Sequence, residues 1–75
     1  MEERIREIMA EVFEVDIKEI NESTTPETTG KWVSLKHMNL IVSLEDEFGI
    51  TFKEDEIAEL LSFNLICDAV KRRKN

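Results

Sequence analysis

Seventy-five residues, with 17 Asp and Glu against 10 Lys and Arg for a net charge of −7, make one small acidic domain spanning residues 1–75. A chain this short buries only about 60% of the surface its unfolded form exposes, which leaves no room for a scaffold plus a deep substrate cleft and argues against an enzyme. Four of the ten basic residues are Lys71, Arg72, Arg73 and Lys74, so residues 1–70 carry 6 positive and 17 negative charges; such a body repels nucleic acid.

That acidity suits docking on basic protein patches, and equally it suits plain solubility; composition leaves both open. The basic tail fits the last turn of a helix, where cations complement the dipole. A single cysteine, Cys67, excludes an internal disulfide and fits a reducing compartment. No apolar run approaches the length of a membrane span, and Met1-Glu2-Glu3-Arg4 lacks a signal-peptide stretch, so a cytoplasmic protein without membrane insertion is expected.

Residues 2–14 read as a helix: Ile5, Ile8, Met9, Val12 and Phe13 fall on one stripe, with acidic residues at the start. Val15, Ile17 and Ile20 stay apolar off that rhythm, which predicts a bend whose side chains close one end of the core. Residues 21–33, with the only proline, four threonines and Gly30, predict a long loop. Connections of that length in small domains are often functional.

A second helix is expected over 34–48, with Ser34 as its N-cap and Gly49 as its stop. Leu40, Ile41, Leu44 and Phe48 form its core stripe. Leu35, Met38 and Val42 form a second stripe displaced by roughly 100°. That second stripe is either more core or a face offered to a partner. Ile50-Thr51-Phe52 reads as extended. A short third helix follows over 54–61, with Glu54, Asp55 and Glu56 at its start and Ile57, Leu60 and Leu61 inward. Ser62 caps a fourth helix over about 63–72, in which Phe63, Ile66, Ala69 and Val70 face the core. The sum is an all-α, small four-helix bundle with one long crossing loop between its first and second helices and a short third helix.

Ser34 is the candidate for chemistry. A hydroxyl at a helix start points toward the positive end of the dipole, where a phosphate ester is favoured. The plain alternative is an N-cap serine worth about 1 kcal/mol. The run Trp32-Val33-Ser34-Leu35-Lys36-His37-Met38-Asn39-Leu40-Ile41, followed by Leu44-Glu45-Asp46-Glu47-Phe48-Gly49-Ile50, resembles the acyl carrier protein family. Ser34-Leu35, Leu40, Ile41, Leu44, Glu45 and Phe48 match that family's signature in order and spacing, and the helix order matches over nearly the whole chain.

The resemblance implies a bundle of acyl carrier type, with 4′-phosphopantetheine esterified to Ser34 by a phosphopantetheinyl transferase. It implies a non-enzymatic, monomeric carrier of acyl thioesters for fatty acid, lipid or secondary-metabolite synthesis. Leu35, Met38 and Val42 become apolar contacts for acyl-transferring or condensing enzymes with basic docking patches. Glu45, Asp46, Glu47, Glu54 and Asp55 become the charge complement. Two positions depart from the pattern: Val33 stands where the family has Asp, and Lys36 stands where acid is common. The first weakens the case for efficient modification, and the second weakens docking of an arginine-rich partner. A helical adaptor that works without modification is the competing reading.

The remaining residues of chemical interest have structural explanations. His37, the lone histidine, lacks metal-ligand companions and either faces solvent, lies near the arm or packs on Trp32. Trp32 either anchors the loop through its large apolar area or flanks an acyl chain. Cys67 reads as a small buried hydrophobe. No nucleophile–base–orienter set for a hydrolase is present. Asp16, Glu19 and the run at 45–47 do not form a calcium loop and read as solvated faces.

Overall fold

The computed structural model describes residues 1–30 and 32–74, without the side chains of Glu27 and Thr29; Lys31, placed by sequence in the long loop, lies outside the described residues. Helix α1 runs over Glu2–Phe13 and buries Ile5, Ile8, Met9, Ala10 and Phe13, while Val12 packs at the edge. It stops one residue earlier than expected, because Glu14 turns into the left-handed region at φ 58° and Val15 N–H bonds back to Ala10 O at 3.0 Å. Ile20 is buried, with Val15 and Ile17 packed against the same core, so this bend closes one end as the sequence predicts.

Between them lies a single 3₁₀ turn, Ile17–Glu19. Asp16 Oδ1 accepts the Lys18 N–H at 3.0 Å and Glu19 Oε2 accepts the Asp16 N–H at 3.2 Å. These two carboxylates therefore form a reciprocal cap rather than a merely solvated face.

The long crossing is more ordered than its composition suggests. Thr24 is buried; its hydroxyl accepts the Asn21 N–H at 2.8 Å and donates to Glu19 O at 3.0 Å. Its carbonyl receives the Phe63 N–H at 3.3 Å, which ties the loop to the last helix. A one-turn helix α2, Pro26–Thr29, replaces the expected continuous loop. Its signals are local: Thr25 before it, proline at the first position and Gly30 at φ 68° after it.

Helix α3 spans Ser34–Phe48, as predicted, and Gly49 at φ 63° ends it. Leu40, Ile41 and Leu44 are buried. Leu35, Met38 and Val42 are 72%, 48% and 52% exposed, so the second stripe is surface and not core. After α3 the chain crosses without a strand; Phe52 is buried and its N–H donates to Glu45 Oε2 at 2.9 Å.

Helix α4, Glu54–Glu59, is two residues shorter than expected. Leu60 leaves the helical region at φ −82°, ψ 65° and is buried, and this departure turns Leu61 outward to 44% exposure, against its expected inward place. Helix α5 covers Phe63–Lys74 and buries Phe63, Ile66, Cys67, Ala69 and Val70. Ser62 Oγ accepts the Leu65 N–H at 3.1 Å, the cap predicted from sequence.

Helices α1, α3 and α5 enclose the core, and α4 closes one side. The basic end of α5 does more than complement a dipole. Lys71 pairs with Glu2 at 2.7 Å, and Arg73 and Arg72 both reach Glu56 on α4.

The Arg73 guanidinium holds the Glu56 carboxyl below its ordinary value of 4.5. A lowered carboxyl stabilises the fold above that range, and the contribution disappears as pH falls through the folded-state value. Arg73→Ala is therefore expected to cost roughly 0.2–1 kcal/mol at neutral pH, the worth of a solvent-reached pair. The difference in melting midpoint between wild type and variant should shrink as the buffer is taken from neutral to strongly acidic.

Candidate functional site

The N-terminus of α3 is positioned from two directions. Trp32, 5% exposed, sets its indole 5.0 Å from the fully buried Phe13 ring, which pins the end of the loop to α1. Lys36 Nζ meets Glu14 Oε2 at 2.7 Å, which ties the first turn of α3 to the end of α1. Of the two roles open to Trp32 on sequence, anchoring is thus realised in its packing.

The indole is also held by its nitrogen. Trp32 Nε1 donates to His37 Nδ1 at 2.8 Å, and the two rings lie 5.9 Å apart at 29°. An indole N–H is only a donor, so Nδ1 is the acceptor and the neutral imidazole carries its proton on Nε2. That nitrogen lies 2.8 Å from Ile57 O on α4 and donates to it. His37 therefore packs on Trp32 and joins the loop, α3 and α4 through one ring.

Ser34 is not the N-cap. Val33 takes that place, with extended geometry at φ −102°, ψ 170°, and its carbonyl accepts the His37 N–H at 2.8 Å. Ser34 is the first helical residue and exposed, and among the described residues its hydroxyl enters no hydrogen bond. The displacement by one position matters, because a capping serine spends its oxygen on the helix. Here the oxygen remains available, beside first-turn N–H groups that have no intrahelical acceptor.

An open groove of about 290 Å³ runs beside it, lined by Pro26, Trp32, Val33, Ser34, His37 and Leu61. An exposed hydroxyl, a locally positive helix end and an adjoining apolar groove fit a phosphate-linked organic arm.

The other sequence-selected residues are spread differently. Leu35, Met38 and Val42 share the exposed side of α3. Glu45 is half-buried and engaged with the Phe52 N–H, while Glu47 pairs with Arg4 at 3.1 Å. Glu54 and Asp55 are exposed at the start of α4, where Asp55 Oδ1 accepts the Glu56 N–H at 3.0 Å. Cys67 is buried in α5, and burial pushes its thiol up to about 11, which leaves little thiolate for nucleophilic chemistry. Among the described residues no three or more His, Cys, Asp or Glu are grouped to hold a metal ion.

Pro26 and Leu61 are the groove residues that sequence reasoning missed. No local signal marks Leu61, because the backbone turn at Leu60 is what sends it outward.

A larger depression of about 440 Å³ lies between α1 and α3, lined by Arg4, Ile8, Glu11, Val12, Ser43, Asp46 and Glu47. It holds no serine at a helix start and none of the Ser34 surroundings, so the smaller groove is the candidate site.

Fold and site together define a helical carrier-type bundle that presents a serine at the head of its second long helix. No family model matches the chain. The solution NMR structure of holo acyl carrier protein from Geobacter metallireducens is similar to it, with a TM-score of 0.85 and 32% sequence identity over 96% of this chain and 83% of that one. The chain belongs to the acyl carrier protein family.

Trp32→Ala should cost about 3–5 kcal/mol, as for a large aromatic removed from a core. Trp32→Phe keeps a ring against Phe13 but loses the bond to His37, and should cost no more than about half as much. Urea denaturation of the two variants checks the order.

Proposed function

We propose that this chain is an acyl carrier protein whose Ser34 bears a 4′-phosphopantetheine arm, and that it has no catalytic activity of its own. The observation that carries the proposal is the Ser34 hydroxyl: exposed, uncapped, and set beside an apolar groove. The group supplies a terminal thiol on which an acyl unit is held as a thioester.

The chain's own part is to offer a nucleophilic oxygen to a phosphopantetheinyl transferase. That oxygen loses its proton and forms a phosphodiester, while the pyrophosphate link of coenzyme A breaks and adenosine 3′,5′-bisphosphate leaves. The first-turn N–H groups of α3 then stabilise the phosphodiester charge.

Leu35, Met38 and Val42 provide an apolar face on the same helix for partner enzymes of fatty acid, lipid or secondary-metabolite synthesis. Glu47, Glu54 and Asp55, with Glu45 at the edge, supply negative charge for basic docking patches on acyl-transferring or condensing enzymes. In this reading the chain acts as a single domain, a cytoplasmic monomer without nucleic-acid or membrane partners; no helix among the described residues is long and apolar enough to cross a membrane.

One observation favours a second reading, an adaptor that is never modified. Val33 is 57% exposed next to Ser34, where the family pattern has a carboxylate. The two readings separate by intact mass after incubation with coenzyme A and several phosphopantetheinyl transferases. The carrier reading expects a gain of one phosphopantetheine, absent from Ser34→Ala; no gain with any transferase, or a gain that survives Ser34→Ala, contradicts it. Val33→Asp is expected to be modified faster than wild type, and equal rates would show that the missing carboxylate is not limiting.

A further inference from the structure

The groove beside Ser34 has a floor. Trp32 lines the groove, yet its indole is 5% exposed and rests on Phe13, which is fully buried. The indole is thus the partition between the surface at Ser34 and the core behind it. A chain tethered at Ser34 reaches the interior by this route only if the indole moves.

The indole is latched. Its Nε1 proton is held by His37 Nδ1, and the same imidazole donates from Nε2 to Ile57 O, each at 2.8 Å. Swinging the indole outward breaks the first bond, and parting α4 from α3 breaks the second. Helix α4 contributes no fully buried side chain of its own; partly buried Ile57 packs against the core, and that tie and the Arg73–Glu56 pair add to its hold. The groove itself is walled by Pro26, Val33 and Leu61, with Val33 and Leu61 more than two-fifths exposed.

We propose that the Trp32–His37–Ile57 latch keeps a cargo tethered at Ser34 out of the bundle and in the surface groove, and that it thereby restricts this carrier to short acyl units. The restriction follows from water contact. A long alkyl chain left outside the core exposes every further methylene, at a cost that grows with length, whereas a short unit loses little. The biological meaning rests on the carrier reading of Ser34, but the physical claim holds for any chain attached at residue 34.

The test uses a chemical tether. Ser34→Cys, in the full chain, is alkylated with N-alkyl iodoacetamides from two to ten carbons long. Cys67 is 4% exposed with its thiol raised to about 11, so it reacts last, and intact mass confirms a single adduct. The readouts are the melting midpoint and the emission of Trp32, the chain's single tryptophan. The latch predicts that both level off once the first few methylenes have filled the surface groove that Trp32 lines, with no further change as the chain lengthens. In the same protein carrying His37→Leu, the midpoint should climb with chain length and the emission should shift.

A chain that entered the core would add roughly 3–6 °C for each methylene buried. Such a climb, continued to the end of the series in the protein that retains His37, overturns the proposal. A series that levels off alike in both proteins also overturns it, since His37 would then hold nothing shut. If His37→Leu does not fold, the series with His37 decides alone. Because no transferase is used, this outcome is separate from whether Ser34 is modified by coenzyme A.

Discussion

The Trp32 indole settles where the long crossing ends, and the arrangement around Ser34 follows from that. Burying an indole removes about 150–250 Å² from water, worth on the order of 4–6 kcal/mol at 25 cal/mol per Å². Its hydrogen bond to His37 adds only about 1 kcal/mol net. Packing therefore supplies the energy, and the bond supplies direction: it selects one rotation of the indole and one tautomer of His37. With Trp32 fixed on Phe13, Val33 becomes the residue that turns the chain into α3, and Ser34 opens the helix with its oxygen unspent.

Helix α3 then has two apolar sides with different fates. Leu40, Ile41 and Leu44 are consumed by the core, while Leu35, Met38 and Val42 remain in water. A bundle this small has no further layer with which to cover them. Charge around the same helix is partly neutralised inside the molecule, through Lys36 with Glu14 and Arg4 with Glu47. The surface next to Ser34 is consequently apolar, with Val33, Leu35 and Leu61 exposed there or nearby along the chain, and Asp46, Glu54 and Asp55, which form no ion pair among the described residues, lie farther along α3 and on α4.

The sequence made the three long helices legible because each carries a run of apolar residues at helical period, long enough to outweigh local noise: Ile5 to Phe13, Leu40 to Phe48 and Phe63 to Val70. The short elements were harder. Helix α2 has one turn and no apolar stripe, so only Thr25, Pro26 and Gly30 mark it. Thr24 looks like one more loop threonine, and its burial depends on contacts from Glu19, Asn21 and Phe63 that no local pattern announces. The end of α4 was misplaced because Leu60 and Leu61 are equally apolar; only the backbone turn at Leu60 decides which goes inward. At the site, Ser34 was identified but set one position too early in the cap, since Val33 is a poor N-cap by residue type and holds the place through the anchoring of Trp32 before it.

The contact between Trp32 and His37 joins the crossing, α3 and α4 at the serine. Nitrogen NMR on uniformly ¹⁵N-labelled protein measures it directly, by the coupling across the hydrogen bond between Trp32 Nε1 and His37 Nδ1. A resolved coupling, with the imidazole proton on Nε2 and an indole proton that exchanges slowly with water, is the predicted result. An indole proton exchanging at the rate of a solvent-exposed tryptophan, with no coupling to the imidazole, would contradict it.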